Sequence, residues 1–169
     1  MAKTSAKRKV KASRRAKTAA RRTSARRPVK AAAQRAFKAR KPAKQAFVAS
    51  HHDEAGFKGG LRRYAKYRDL GIGAATKGLA QAHVIRMVPP CIPEEVSKLH
   101  YHDVDFQMIY VLKGWIKTEI DGQGAHLLHA GAAWTQPPRV KHKVLDYSDD
   151  CELLEIVMPA EFDTVELEA

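Results

Sequence analysis

From Ala82 onward the chain reads as short β-branched and aromatic runs cut by turns, and this rhythm constrains the fold more than any other feature. "AHVIRMV" alternates and is stopped by "PPCIP". "KLHYH", "FQMIYVLKG", "WIKTEID", "AHLLHA", "AAWTQ", "HKVLDY" and "CELLEIVMP" follow, divided by glycine, proline and aspartate turns. About eight strands fit into fewer than 80 residues, with no helical stretch between them. Repeated short strands at this spacing predict an all-β sandwich or barrel.

Charge divides the chain. The net charge of +13 comes from 31 basic and 18 acidic residues. Residues 1–46 hold eighteen of the basic residues and none of the acidic ones, so residues 47–169 carry a net −5. Residues 1–46 are built from Ala, Lys, Arg, Ser and Thr, with Phe37 the sole aromatic. Such a segment buries too little apolar surface to offset its ordering entropy, and a disordered basic tail is expected. In composition it resembles the Lys/Ala-rich tails of histone H1-like proteins, as in "RKVKASRRAKTAARR" and "VKAAAQRAFKARKPAK". Clustered cations attract polyanions through counterion release, without base readout. Arg14, Arg15, Arg21, Arg22, Arg26 and Arg27 are the candidate nucleic-acid contacts. The competing reading is a solvated extension, or a start codon assigned upstream of the true one.

Residues 47–80 read as a polar, Gly-rich linker followed by an arm with little regular structure, lying on the domain or across a partner subunit. Residues 81–159 make the barrel, and residues 160–169 an acidic extension expected to fray. Cys91 and Cys151 form no CxxC pair and are too few for a disulfide framework. They suit a reducing cytoplasm, with a single disulfide also compatible. No apolar run approaches the ~20 residues that span a bilayer, so no membrane partner is expected. The N-terminus lacks the apolar stretch of a secretory signal. Its equal numbers of Lys and Arg argue against an organellar leader. The expected location is the cytoplasm, with nucleoid association through the tail.

Chemistry concentrates in three histidines. His100 and His102 stand two apart, so on a strand both face one side. Gln107 follows past a short turn, and His142 opens a later strand after a proline turn. Three imidazoles and an amide oxygen make a four-donor set for a divalent transition metal.

Here the spacing resembles a known family. Glu94-x5-His100-x-His102-x4-Gln107-x6-Gly114 is similar to the first cupin motif, G-x5-HxH-x3-4-E-x6-G. Gly131-x5-Pro137-x-Arg139-x2-His142-x3-Asp146 is similar to the second, G-x5-PxG-x2-H-x3-N. Glu94 and Arg139 replace turn glycines, Gln107 replaces the ligand glutamate, and Asp146 replaces an asparagine. The resemblance implies a double-stranded β-helix, the cupin or jelly-roll barrel, with His100, His102, Gln107 and His142 as metal ligands. It implies Fe(II) or Mn first and Zn or Ni behind them, and a homodimer formed with N-terminal arms. Gln107 in place of glutamate leaves the centre at +2 rather than +1, favouring a stronger Lewis acid and an anionic or enolate substrate.

The remaining candidates have plainer readings. His83, His126 and His129 read as structural or rim residues, and His51-His52 as an adventitious metal binder in the linker. Asp103 and Asp105 read as turn residues or as orienters of the imidazoles. Tyr110, Trp115 and Trp134 read as core or dimer-surface residues. Three functions fit: a dioxygenase-like metalloenzyme acting on a small polar or anionic molecule, a sensing module held on nucleic acid by its tail, or a storage or structural protein with a vestigial site.

Overall fold

The computed structural model describes residues 43–60 and 62–167. Most of the basic tail, with Arg14, Arg15, Arg21, Arg22, Arg26 and Arg27, lies outside the described residues. Ala46, assigned to that tail, donates its N–H to Ala75 O at 2.9 Å.

A single 3-10 turn at Glu54–Gly56 leads into β1 (Lys58–Gly59) and β2 (Ala65–Asp69). The one-turn helix α1 (Ile72–Ala75), β3 (Gln81–Met87) and the one-turn helix α2 (Pro93–Val96) follow. Then come β4 (His100–His102), β5 (Phe106–Lys113), β6 (Trp115–Ile120), β7 (Gly124–His129) and β8 (Ala133–Thr135). The series closes with β9 (His142–Tyr147), β10 (Glu152–Met158) and β11 (Thr164–Glu166). One sheet runs β1-β2-β3-β10-β5-β8 and the other β11-β4-β9-β6-β7. Every recorded pairing is antiparallel. The all-β jelly-roll architecture expected from the sequence is therefore the one observed.

Period-two alternation sets what each strand turns inward. On β3 His83, Ile85 and Met87 line the space between the sheets, as do Gln107 and Ile109 on β5 and Leu153 and Glu155 on β10. At one end this space is solid core. Met87, Val96, Ile109, Val111, Ile116, Tyr147, Cys151 and Leu153 pack together there. Burying an aliphatic side chain of this size contributes about 1.5–3 kcal/mol each.

The eight strands read from the sequence appear as β3 to β10, but three expectations need correction. The arm, described over residues 62–79, is not irregular. Its β2 pairs with β3 from Ala65↔Met87 to Asp69↔His83, and α1 follows. Within the acidic C-terminal extension residues 164–166 do not fray either, because β11 pairs with β4 from Thr164↔His102 to Glu166↔His100. Finally, "IPEEVS" makes a helical turn where none was expected. Pro93 starts it, and the acidic Glu94 and Glu95 suit its N-terminal end. Cys91 and Cys151 are both free thiols. Among the described residues no helix is long and apolar enough to cross a membrane.

Candidate metal centre

A cavity of about 530 Å³ lies between the sheets. Extended backbone at β4 sends both His100 and His102 into it, and β9 pairs His142 directly with His100. The His142 ring lies 4.3 Å from that of His100 and 5.1 Å from that of His102. One nitrogen of each imidazole lies within 4.8 Å of the others.

The outward nitrogens are already committed. His100 Nδ1–H donates to Lys98 O at 2.7 Å, and His142 Nδ1–H donates to Val140 O at 2.9 Å. A carbonyl only accepts, so both rings carry their lone pair on Nε2. His102 Nδ1 is 2.9 Å from Thr164 Oγ1. Burial holds His102 and His142 down at about 4, with repulsion from the neighbouring His100 adding to it. Burial lowers His100 as well. All three are therefore neutral bases near pH 7, the form a metal ion requires. Donor type, protonation and anchoring all fit a divalent transition metal.

The facing sheet contributes a polar network. Gln107, 2% exposed, donates Nε2–H to Glu155 Oε1 at 2.6 Å. Glu155 Oε2 accepts from His83 Nε2 at 2.6 Å. Burial pushes the Glu155 carboxyl up, but the hydrogen bond and charge of His83 and the bond from Gln107 outweigh it, leaving it below the usual range. Gln136 closes the network. Its Oε1 accepts from Trp134 Nε1–H at 3.2 Å. Its Nε2 donates to His142 Nε2 at 2.7 Å and to Gln107 Oε1 at 3.3 Å.

Residues 91–157 match the sequence model of the family described as Cupin domain. The chain therefore carries a cupin domain. Solved structures agree on the fold. KdgF from Halomonas sp. is similar at a TM-score of 0.52 and 18% identity, covering 69% of this chain and 96% of that one. The polyketide cyclase RemF from Streptomyces resistomycificus gives 0.55 and 17%, covering 71% and 86%. Oxalate decarboxylase from Bacillus subtilis gives 0.53 and 16%, covering 73% of this chain but 34% of that one. No curated protein matches the chain.

The cupin's departures from the family pattern have local explanations. Arg139 keeps the left-handed backbone of the glycine it replaces, at φ 59°. Its guanidinium makes two 2.8 Å bonds to Asp103, and its N–H donates to His102 O at 3.1 Å. Asp103 thus holds the second motif's turn and touches no imidazole. Glu94 sits in the α2 turn, where glycine is not needed. Gly114 does need to be glycine: at φ +66° an added Cβ would meet Ser148 Oγ, Asp150 Oδ1 at 2.6 Å and Cys151 Cα at 3.1 Å.

Of the predicted ligands, His100, His102 and His142 converge. Gln107 faces the same cavity with its carbonyl oxygen bridged to His142 by one amide nitrogen. Four further residues escaped the sequence reading. His83 and Trp134, taken as structural, core or dimer-surface residues, line the cavity, as do Gln136 and Glu155. The available signal was a polar residue at the inward position of a buried strand, as in Leu153-x-Glu155-x-Val157. The C-terminal segment also belongs to the site. Besides Thr164, Phe162 packs edge-on to His102 at 5.4 Å, and Glu166 pairs with Arg62. His126 and His129 are exposed on β7, away from the cavity.

Proposed function

We propose that this cupin is a metalloenzyme. His100, His102 and His142 hold one divalent transition metal, Gln107 Oε1 is the fourth donor, and a small polar or anionic molecule binds in the cavity. The observation that carries this reading is the set of three anchored, neutral imidazoles with donor atoms within 4.8 Å. Fe(II) or Mn suits a dioxygenase-like reaction, and Zn or Ni a Lewis-acid one. A bound ion supplies Lewis acidity and, for iron or manganese, a redox couple.

The chain's own residues define the rest. Every donor is neutral, so an anionic molecule balances the charge of the centre. Glu155 takes the N–H of Gln107, which fixes the amide and enriches its carbonyl oxygen as a donor. Glu155 also accepts a hydrogen bond from His83 Nε2, which holds the His83 ring on the cavity wall, where it can exchange a proton with the bound molecule. Tyr110 and Leu112, exposed on the outer face of β5, offer apolar surface for a homodimer.

Metal analysis of protein purified without a histidine tag is the first test. Oxygen uptake and turnover across candidate acids and diketones are the second. One equivalent of metal with substrate-dependent turnover supports the proposal. Metal without turnover removes the enzyme, and absence of metal removes the site. The eighteen cations of residues 1–46 favour a second reading, a sensing module whose tail binds nucleic acid non-specifically. It expects a salt-sensitive mobility shift, modulated by ligand and lost on deleting residues 1–46.

A further inference from the structure

Gln136 lies outside the ligand positions of both motifs, yet its side chain reaches the nitrogen a metal ion would use. It is 5% exposed and makes three polar contacts. Trp134 Nε1–H can only donate, so the Gln136 oxygen must face it. The amide NH2 is then forced toward His142 Nε2 and Gln107 Oε1, both of which accept. The orientation of the amide is thus fixed by its neighbours.

His142 has no second nitrogen to offer, because Nδ1–H is committed to Val140 O. An ion at the triad must take the Nε2 lone pair that Gln136 now holds. An amide N–H pointing at a cation is repulsive, and a delocalised amide nitrogen has no lone pair with which to ligate. Turning the amide over solves this conflict and creates another. The carbonyl oxygen comes round to the ion, and the NH2 now meets the Trp134 N–H, donor against donor. The indole bond must break.

We propose that Gln136 is a metal-responsive residue of this centre: ion entry displaces its N–H from His142, turns its carbonyl oxygen to the ion and releases the Trp134 indole. This rests on the triad being the metal site. It adds a donor that neither motif specifies and a built-in optical reporter.

The test uses the full chain at pH 7.5 and Zn(II), which is diamagnetic and does not quench by itself. The protein has two tryptophans, and Trp115 does not line the cavity. Zn(II) is expected to change tryptophan emission, saturating at one equivalent, in wild type and Trp115→Phe but not in Trp134→Phe. In 15N-labelled wild type the Trp134 indole N–H resonance should move at the same stoichiometry while that of Trp115 stays. Gln136→Leu should lose the response and bind Zn(II) roughly 10-fold more weakly in chelator competition. Binding at one equivalent with no Trp134 signal, by emission or by resonance, overturns the proposal and leaves the triad standing. So does a Gln136→Leu variant that keeps both signal and affinity. No Zn(II) uptake by wild type overturns the metal reading together with this one.

Discussion

The two sheets that face each other across the cavity treat burial in opposite ways. On the sheet holding β4 and β9, burial strips charge from three imidazoles, two of which fall to about 4. On the facing sheet a carboxylate stays ionised, because His83 and Gln107 each give Glu155 a 2.6 Å hydrogen bond. A base loses its charge simply by releasing a proton, whereas a buried anion persists only where donors replace its water. The family pattern puts a carboxylate among the ligands. Here that position is the neutral Gln107, and the carboxylate stands one hydrogen bond further out. One sheet therefore supplies lone pairs, and the other supplies negative charge at second hand.

Removing a member from each side tests this division, and the largest effect belongs to the imidazole side. His142→Ala takes away one of three donors. Its affinity for Zn(II) or Mn(II) should fall by more than the ~10–100-fold typical of losing an outer partner. Chelator competition reads it. Glu155→Ala should act mainly on stability. It strands the His83 and Gln107 donors in the interior, at a cost on the order of 3 kcal/mol, visible as a lower urea midpoint. Its effect on metal affinity should stay near 10-fold. Equal losses of affinity from the two variants would erase the distinction between the sheets.

The sequence made one side of the cavity legible and hid the other. His100-x-His102 is local: a two-residue spacing on an extended chain forces both rings onto one face, and His142 sits at a fixed offset from Pro137. The opposing network has no such spacing. His83, Gln107 and Glu155 come from β3, β5 and β10 and meet only because Glu155 pairs in register with His83 and, on its other side, with Ile109, two residues from Gln107. Pairing between distant strands cannot be read from spacing along one of them. The same reason hid β2 and β11. "AKYRD" and "TVE" are short and charged, and pairing with β3 and β4 makes them strands. The strands from β3 to β10 were legible because their alternation is strong and their turns carry glycine or proline.

pH separates the two sides next, with a moderate effect on the metal-free protein. His102 and His142 titrate at about 4 in the fold, and near the ordinary 6.5 when unfolded. Between these values the unfolded chain binds more protons, so stability falls as pH falls through this window and is complete above it. Glu155 is lowered from the ordinary 4.5, so its contribution is lost only further down, as pH drops through its folded value. Urea midpoints measured from pH 7 downward should decline first through the imidazole window, with the carboxylate adding a later fall. A midpoint that stays level down to pH 4.5 would mean that the imidazoles are solvated, and the contrast between the sheets would be lost.

The smallest effect is expected at Arg139, where the imidazole side joins the surface. Its left-handed φ of 59° costs an arginine backbone energy that glycine avoids. Arg139→Gly removes that strain but frees the unfolded chain and deletes the pair with Asp103, which is exposed on both sides. These effects oppose one another, and the Arg139 N–H bond to His102 O belongs to the backbone and survives. Stability and metal affinity should therefore change little, affinity by less than about twofold. A larger loss of affinity, reproduced by Asp103→Asn, would show that the ion pair positions His102 through that backbone bond. The imidazole side would then also depend on charge held one step away, as the Gln107 side does, and the contrast between the sheets would narrow to which charge stands behind the donor.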